Sequence, residues 1–97
     1  MQIEHDLDSA TARLPDHVVY RAFAKETVVL NLQTGTYHGL NPTAGRMLEV
    51  LSRSDTVGDA ADKLAEEYGR PRDEIGSDLR DFCRELLDRG LIQLEPR

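Results

Sequence analysis

The chain has 97 residues, of which 39% are hydrophobic and 31% charged, and its formal net charge is -6. This length fits one small domain, whose limited core leaves little room for a deep active-site cleft. Both parts of the chain are acidic: residues 1–40 carry three Lys or Arg against five Asp or Glu, and residues 41–97 carry nine against thirteen. Nucleic-acid binding relies on clustered cations, so this charge weighs against it.

Other function classes are also disfavoured. No apolar run reaches the roughly 18–20 residues that a membrane span requires, and no signal-peptide pattern opens the chain, so we expect a cytoplasmic protein. Cys83 is the only cysteine, which excludes an intramolecular disulfide and a zinc site built on cysteines. The histidines His5, His17 and His38 show no metal-ligand spacing. We expect no metal, no cofactor and no catalysis.

The first sixteen residues are polar and weakly patterned, and Pro15 disfavours regular structure. Residues 1–16 are therefore predicted to be a flexible segment ahead of a domain that spans residues 17–97. Two predicted strands follow, at Val18–Phe23 and Thr27–Leu32, because both runs are rich in residues that favour strands. The three-residue link between them is short enough for a hairpin.

In the second of these strands, Val28, Leu30 and Leu32 share one face, which we expect to point into the core. Gly35 can supply the positive φ of a tight turn. A third short strand is predicted at Thr36–Leu40, and the three strands together predict an antiparallel meander. Such a sheet has two edges, and an edge that nothing covers can accept another strand.

Helical periodicity begins after the third strand. Helices are predicted from about Pro42 to Arg53, Thr56 to Tyr68 and Arg72 to Arg89, with Asn41 as N-cap of the first. The tail at residues 91–94 alternates and either adds a short strand or packs its apolar residues. The third helix has a wide apolar stripe, part of which can face a groove: Ile75, Leu79, Phe82, Cys83, Leu86 and Leu87. This order predicts an α+β, winged helix-turn-helix-like domain: a three-stranded antiparallel sheet followed by three helices.

Three strings carry a family resemblance: LNLQTGTYHGLNPTAGRMLEVL, TVGDAADKLAEEY and DLRDFCRELLDRGLI. Over about Leu14 to Leu94 the chain resembles the PqqD-like family, the RiPP precursor peptide recognition elements. With the opening LPDHV and a stand-alone length, it is most similar to the leader-binding proteins of lasso peptide gene clusters, and PqqD itself is the nearest competitor.

The resemblance implies a non-catalytic protein that captures the leader of a ribosomally made precursor peptide as an added β-strand. It also implies presentation of that peptide to a leader peptidase and a cyclase, with no nucleic acid or membrane as partner, and a monomer or an edge-paired dimer. The implied strand edge is Thr36, Tyr37, His38, Gly39 and Leu40. The implied helix wall is Ile75, Asp78, Leu79, Phe82 and Cys83, and Leu30 completes the candidate peptide-binding set.

Eight of these residues also have a structural interpretation. Leu30, Leu40 and Leu79 are hydrophobic residues of a small domain, for which a core position is the alternative. For Cys83, on the apolar face of a helix, the alternative is a side chain that fills space in the core. Tyr37 and Phe82 fit either a core edge or a ligand contact. For His38 on the strand and Asp78 on the helix, the alternative is a side chain in contact with solvent.

Other functions stay open at this point. One is a PqqD-type peptide chaperone that serves a radical SAM enzyme or another RiPP-modifying enzyme. A winged-helix DNA-binding regulator would share the fold, but its recognition helix should be cationic, and the third helix here is not. An adaptor that binds only a folded enzyme would instead show an exposed apolar patch.

Overall fold

The computed structural model describes residues 7–96. The main elements, in chain order, are β1 (Thr11–Arg13), β2 (Val18–Ala22), β3 (Thr27–Asn31), β4 (Tyr37–Leu40), α1 (Pro42–Arg53), α2 (Val57–Tyr68), α3 (Arg72–Asp88) and β5 (Gln93–Glu95). Strands β2, β3 and β4 form an antiparallel sheet in that order, and β1 pairs with β5 in a separate antiparallel ribbon. The α+β, winged-helix-like class predicted from the sequence is confirmed.

One face of the sheet packs on the helices, and it is not the face that hydrophobicity predicted. In β3 the buried residues are Thr27, Val29 and Asn31, while Leu30 is half-buried on the outer face and Leu32 is 57% exposed. The polar inward residues have local reasons to be there. A Cβ at Gly45 of α1 would lie 2.2 Å from Thr27 Oγ1, so this glycine lets helix and strand approach closely. Asn31 Oδ1 accepts hydrogen bonds from the backbone N–H groups of residues 33 and 34 in the following turn.

The segment predicted to be flexible is packed over its described part, and residues 1–6 lie outside the described range. Residues 7–9 are helical, and Leu7 and Ala12 are 8% and 4% exposed within the core. The Val57 backbone N–H donates to the Ala10 carbonyl at 2.9 Å. Strand β1 pairs with β5 across the length of the chain, and no local sequence pattern reveals such a partner.

The helix ends follow the predictions to within about a residue. Asn41 Oδ1 accepts a hydrogen bond from the Ala44 N–H at 2.8 Å, which caps α1, and Thr56 caps α2 in the same way. Gly69 ends α2 with a φ of 63°, a left-handed conformation that glycine adopts without a steric cost. Within residues 7–96, no helix is long and apolar enough to cross a lipid bilayer.

Candidate functional site

Strand β4 forms one edge of the sheet, and no other strand in residues 7–96 pairs with its outer side. The Asn31 N–H donates to the Thr36 carbonyl at 2.9 Å, which fixes the alternation of backbone groups between β3 and β4. In an antiparallel ladder the N–H and C=O of one residue point to the same side. Those of Tyr37 and Gly39 therefore point away from β3, and this pair of residues offers two donors and two acceptors at the free edge.

The side chains of β4 divide between the two faces of the sheet. Tyr37 lies on the outer face and is 73% exposed, while His38 is half-buried on the inner face. Leu40 is 8% exposed and belongs to the core. Thr36 lies just before the strand, and its hydroxyl is 2.7 Å from that of Thr34.

The predicted wall on α3 divides into exposed and buried members. Ile75 is half-buried and Asp78 is exposed. Leu79 and Cys83 are 0% exposed and Phe82 is 9% exposed. Leu79 and Cys83 therefore belong to the core and offer no surface to a peptide. Substituting these buried residues tests folding before it tests binding.

A cavity of about 150 Å³ lies where the three helices meet. Its lining begins at Thr43, three residues after β4 ends, and includes the predicted residues Ile75 and Asp78. Its full lining is Thr43, Met47, Leu64, Tyr68, Arg70, Ile75 and Asp78. Sequence reasoning missed Met47 and Tyr68 as site residues, because their spacing along α1 and α2 is that of core residues.

This chain is similar in sequence to one known protein family. The family described as Coenzyme PQQ synthesis protein D (PqqD) matches residues 26–92, which run from the turn before β3 to the segment between α3 and β5. The chain belongs to the PqqD family. No curated protein matches this chain.

Two solved structures resemble this PqqD-family chain over most of its length. One is TbiB1 in complex with the TbiA(beta) leader peptide, with 34% sequence identity, a TM-score of 0.76, and coverage of 84% of this chain and 94% of that one. The other is a lasso peptide synthetase B1 complexed with the leader peptide, with 25% identity, a TM-score of 0.76, and coverage of 87% and 99%.

The outer face of the sheet in this PqqD-family domain carries an apolar row. Val19, Leu30 and Tyr37 lie directly opposite one another on β2, β3 and β4. Val19 is 45% exposed and Leu30 half-buried. Leu30, a predicted peptide-binding residue, therefore lies on the face opposite the helices and next to Tyr37 at the free edge.

One of the two charged residues that line the cavity is paired. Arg70 forms an ion pair with Glu74 on the next turn, whereas Asp78 forms none within residues 7–96. Burial raises the pKa of the Cys83 thiol to about 12, so this thiol stays protonated and unreactive near neutral pH. Among the described residues, no three His, Cys, Asp or Glu side chains are grouped as metal ligands would be.

Proposed function

We propose that this protein binds the leader of a ribosomally synthesised precursor peptide as an added strand on the free edge of β4, and presents it to a leader peptidase and a cyclase during lasso peptide maturation. The observation that carries the proposal is the free edge of β4. A largely apolar cavity, whose lining begins at Thr43, three residues after that strand ends, supports it. The family and the two similar structures, both bound to leader peptides, support the same reading.

The geometry supplies both affinity and selectivity. The outward N–H and C=O groups of Tyr37 and Gly39 can form four main-chain hydrogen bonds with a guest strand, and these depend little on its sequence. Selectivity comes from side-chain pockets. The cavity of about 150 Å³ has the volume of an engineered apolar cavity that binds benzene. One large apolar side chain of the leader would fill it and offset the entropy lost when a disordered peptide becomes a strand.

The proposed contact surface follows from exposure. Tyr37 and Gly39 supply the backbone groups, and Ile75 and Asp78 line the cavity. The remaining members of the predicted set have supporting roles: Thr36 and His38 flank the paired residues, Leu30 lies beside Tyr37, and Leu40, Leu79, Phe82 and Cys83 hold the strand and the helix in place.

Charge disfavours the regulator that would share this fold. Helix α3 occupies the position of a recognition helix and carries six Asp or Glu against three Arg. Phosphate contacts need an excess of cations. The acidic helix would repel a DNA backbone, so peptide capture is the function that the surface favours.

The test is a calorimetric titration of the protein with the synthetic leader of the precursor encoded in the same gene cluster. A set of leaders that each carry one N-methylated backbone nitrogen then maps the pairing. We expect saturable binding, with strong losses at alternate positions of one short segment, because only alternate N–H groups of a guest strand point toward β4. No binding at tens of micromolar, or losses without alternation, would contradict strand addition. The matched control is the leader with its residues scrambled.

Presentation needs a second measurement, since binding alone does not require it. The rate at which the leader peptidase of the cluster cleaves the full precursor is measured with and without this protein. We expect faster cleavage in its presence, and no acceleration when an excess of free leader occupies the protein. Equal rates under all conditions would limit the function to binding.

A further inference from the structure

One carboxylate of the outer sheet face lies beside the free edge. The Phe23 N–H donates to the Glu26 carbonyl at 2.7 Å, which closes the hairpin between β2 and β3. The Glu26 side chain is directed across the sheet, and its Oε2 lies 3.1 Å from the position that a Cβ at Gly39 would occupy. Glu26 forms no ion pair within residues 7–96. Arg21 lies on the same face and is not paired with it.

Gly39 is not required there by backbone conformation. The glycines of the described chain with positive φ are Gly35, Gly69 and Gly90, and Gly39 is not among them. A glycine inside a strand weakens the strand and often marks a place where a ligand or another backbone approaches. Here the missing side chain leaves the outer face open between the strand edge and the Glu26 carboxylate.

The surrounding sheet makes this carboxylate distinctive. Strands β2, β3 and β4 contain no Asp or Glu, whereas the three helices carry most of the acidic residues of the chain. A guest residue placed directly opposite Gly39 on the outer face would have its Cβ roughly 4.5–5.5 Å from the Gly39 position. A long cationic side chain at that point can reach across Gly39 to the carboxylate of Glu26.

We propose that Glu26 selects a Lys or Arg of the leader, at the position that pairs with Gly39. This inference rests on the proposed function, since it assumes a guest strand on β4. In an antiparallel arrangement, the guest residue two positions later lies opposite Tyr37 and extends the apolar row of the outer face. The leader segment is therefore expected to read as a cationic residue, any residue, and an apolar residue.

The experiment is a charge-swap cycle on the full-length protein, measured by calorimetry at low salt. Glu26→Lys should weaken binding of the natural leader about tenfold, because attraction becomes repulsion, and Glu26→Gln should weaken it about threefold. Leaders in which each Lys or Arg is changed singly to Glu are then titrated. One of these changed leaders should bind the Glu26→Lys variant with the affinity that the natural leader lost. The coupling energy between the two charge changes should decrease at high salt.

The matched control is Glu66→Lys, the same change of charge at an exposed position of α2. It should leave the affinity within about twofold, which separates a local pair from the effect of net charge. Circular dichroism and thermal unfolding confirm that each variant is folded. The inference is overturned if Glu26→Lys behaves like Glu66→Lys, if no single leader change restores binding, or if the segment paired with β4 lacks Lys and Arg. If the leader binds but its affinity does not depend on Glu26, this inference alone is wrong. If the leader does not bind at all, the proposed function is wrong as well.

Discussion

The two edges of the sheet expose similar backbone groups but have different neighbours. On β4 the outward groups belong to Tyr37 and Gly39. On β2 the Leu32 N–H donates to the His17 carbonyl at 2.7 Å, and the same alternation directs the backbone groups of Tyr20 and Ala22 outward. A guest strand could in principle pair with either edge.

The cavities beside the edges distinguish them. One cavity next to β2, of about 170 Å³, is lined in part by Arg46 and Glu49. These charges are already paired, since Arg46 Nη1 lies 2.6 Å from Glu49 Oε1 and Arg46 Nη2 lies 2.5 Å from Glu67 Oε1. The cavity near the end of β4 is lined by the side chains of Met47, Leu64, Tyr68 and Ile75, together with Thr43, Arg70 and Asp78, and no ion pair joins the two charged residues across it. Backbone groups alone therefore do not define the site: an edge becomes selective where an apolar cavity lies beside it.

The largest expected effect comes from proline at matching positions of the two edges. Tyr37→Pro removes an outward N–H and places ring carbons in the path of a guest strand, while Tyr37→Ala controls for the lost phenol. We expect Tyr37→Pro to weaken leader binding at least about tenfold relative to Tyr37→Ala, and Ala22→Pro to change it less than about twofold. Calorimetry measures both.

The fold should tolerate each proline, because neither N–H is used within the sheet, and thermal unfolding checks this. If binding is instead lost in Ala22→Pro and kept in Tyr37→Pro, the guest strand pairs with β2 and not with β4. Equal losses would mean that the guest does not pair with one edge only.

A smaller effect is expected from the cavity beside β4. Ile75→Ala removes apolar lining and should weaken leader binding about fivefold, at a stability cost of about 1–2 kcal/mol for a half-buried side chain. Leu87→Ala is the matched control, since Leu87 lies on the same helix, is 37% exposed and does not line the cavity. Calorimetry and chemical denaturation are the measurements. Equal affinities for the two variants would contradict an anchoring role for the cavity.

The contrast between the edges also shows which features a sequence reveals. Helix ends were predictable because their determinants are local: Asn41 precedes Pro42 at one end, and Gly69 follows Tyr68 at another. The free edge followed from three short strands joined by turns. Each of these inferences needed only neighbours in the chain.

Features that depend on distant partners were not predictable. Hydrophobicity favoured Leu30 as an inward residue of β3, but the inner face of that strand carries Val29 between two polar residues, and Thr27 is buried where Gly45 of α1 approaches it. Strand β1 exists because β5 pairs with it from the far end of the chain. Met47 and Tyr68 have core spacing, and only the meeting of three helices makes them cavity residues.

The smallest expected effect concerns the ion pairs beside β2. Hydrogen bonds from Arg46 hold the pKa of Glu67 below its ordinary value of 4.5. A lowered folded-state pKa contributes stability that is present above the unfolded pKa and lost as the pH falls through the folded one. The two side chains are 39% and 36% exposed, so solvent screening limits the contribution to about 0.5 kcal/mol.

Arg46→Gln should therefore lower the free energy of unfolding slightly at neutral pH, and the difference from the unsubstituted protein should narrow as the pH falls below 4.5. Urea denaturation across that range measures it. Leader affinity should not change, because these charges already pair with one another and do not line the cavity near β4. An affinity loss comparable to that of Ile75→Ala would show that the charged cavity also contacts the peptide, and the distinction between the two edges would then fail.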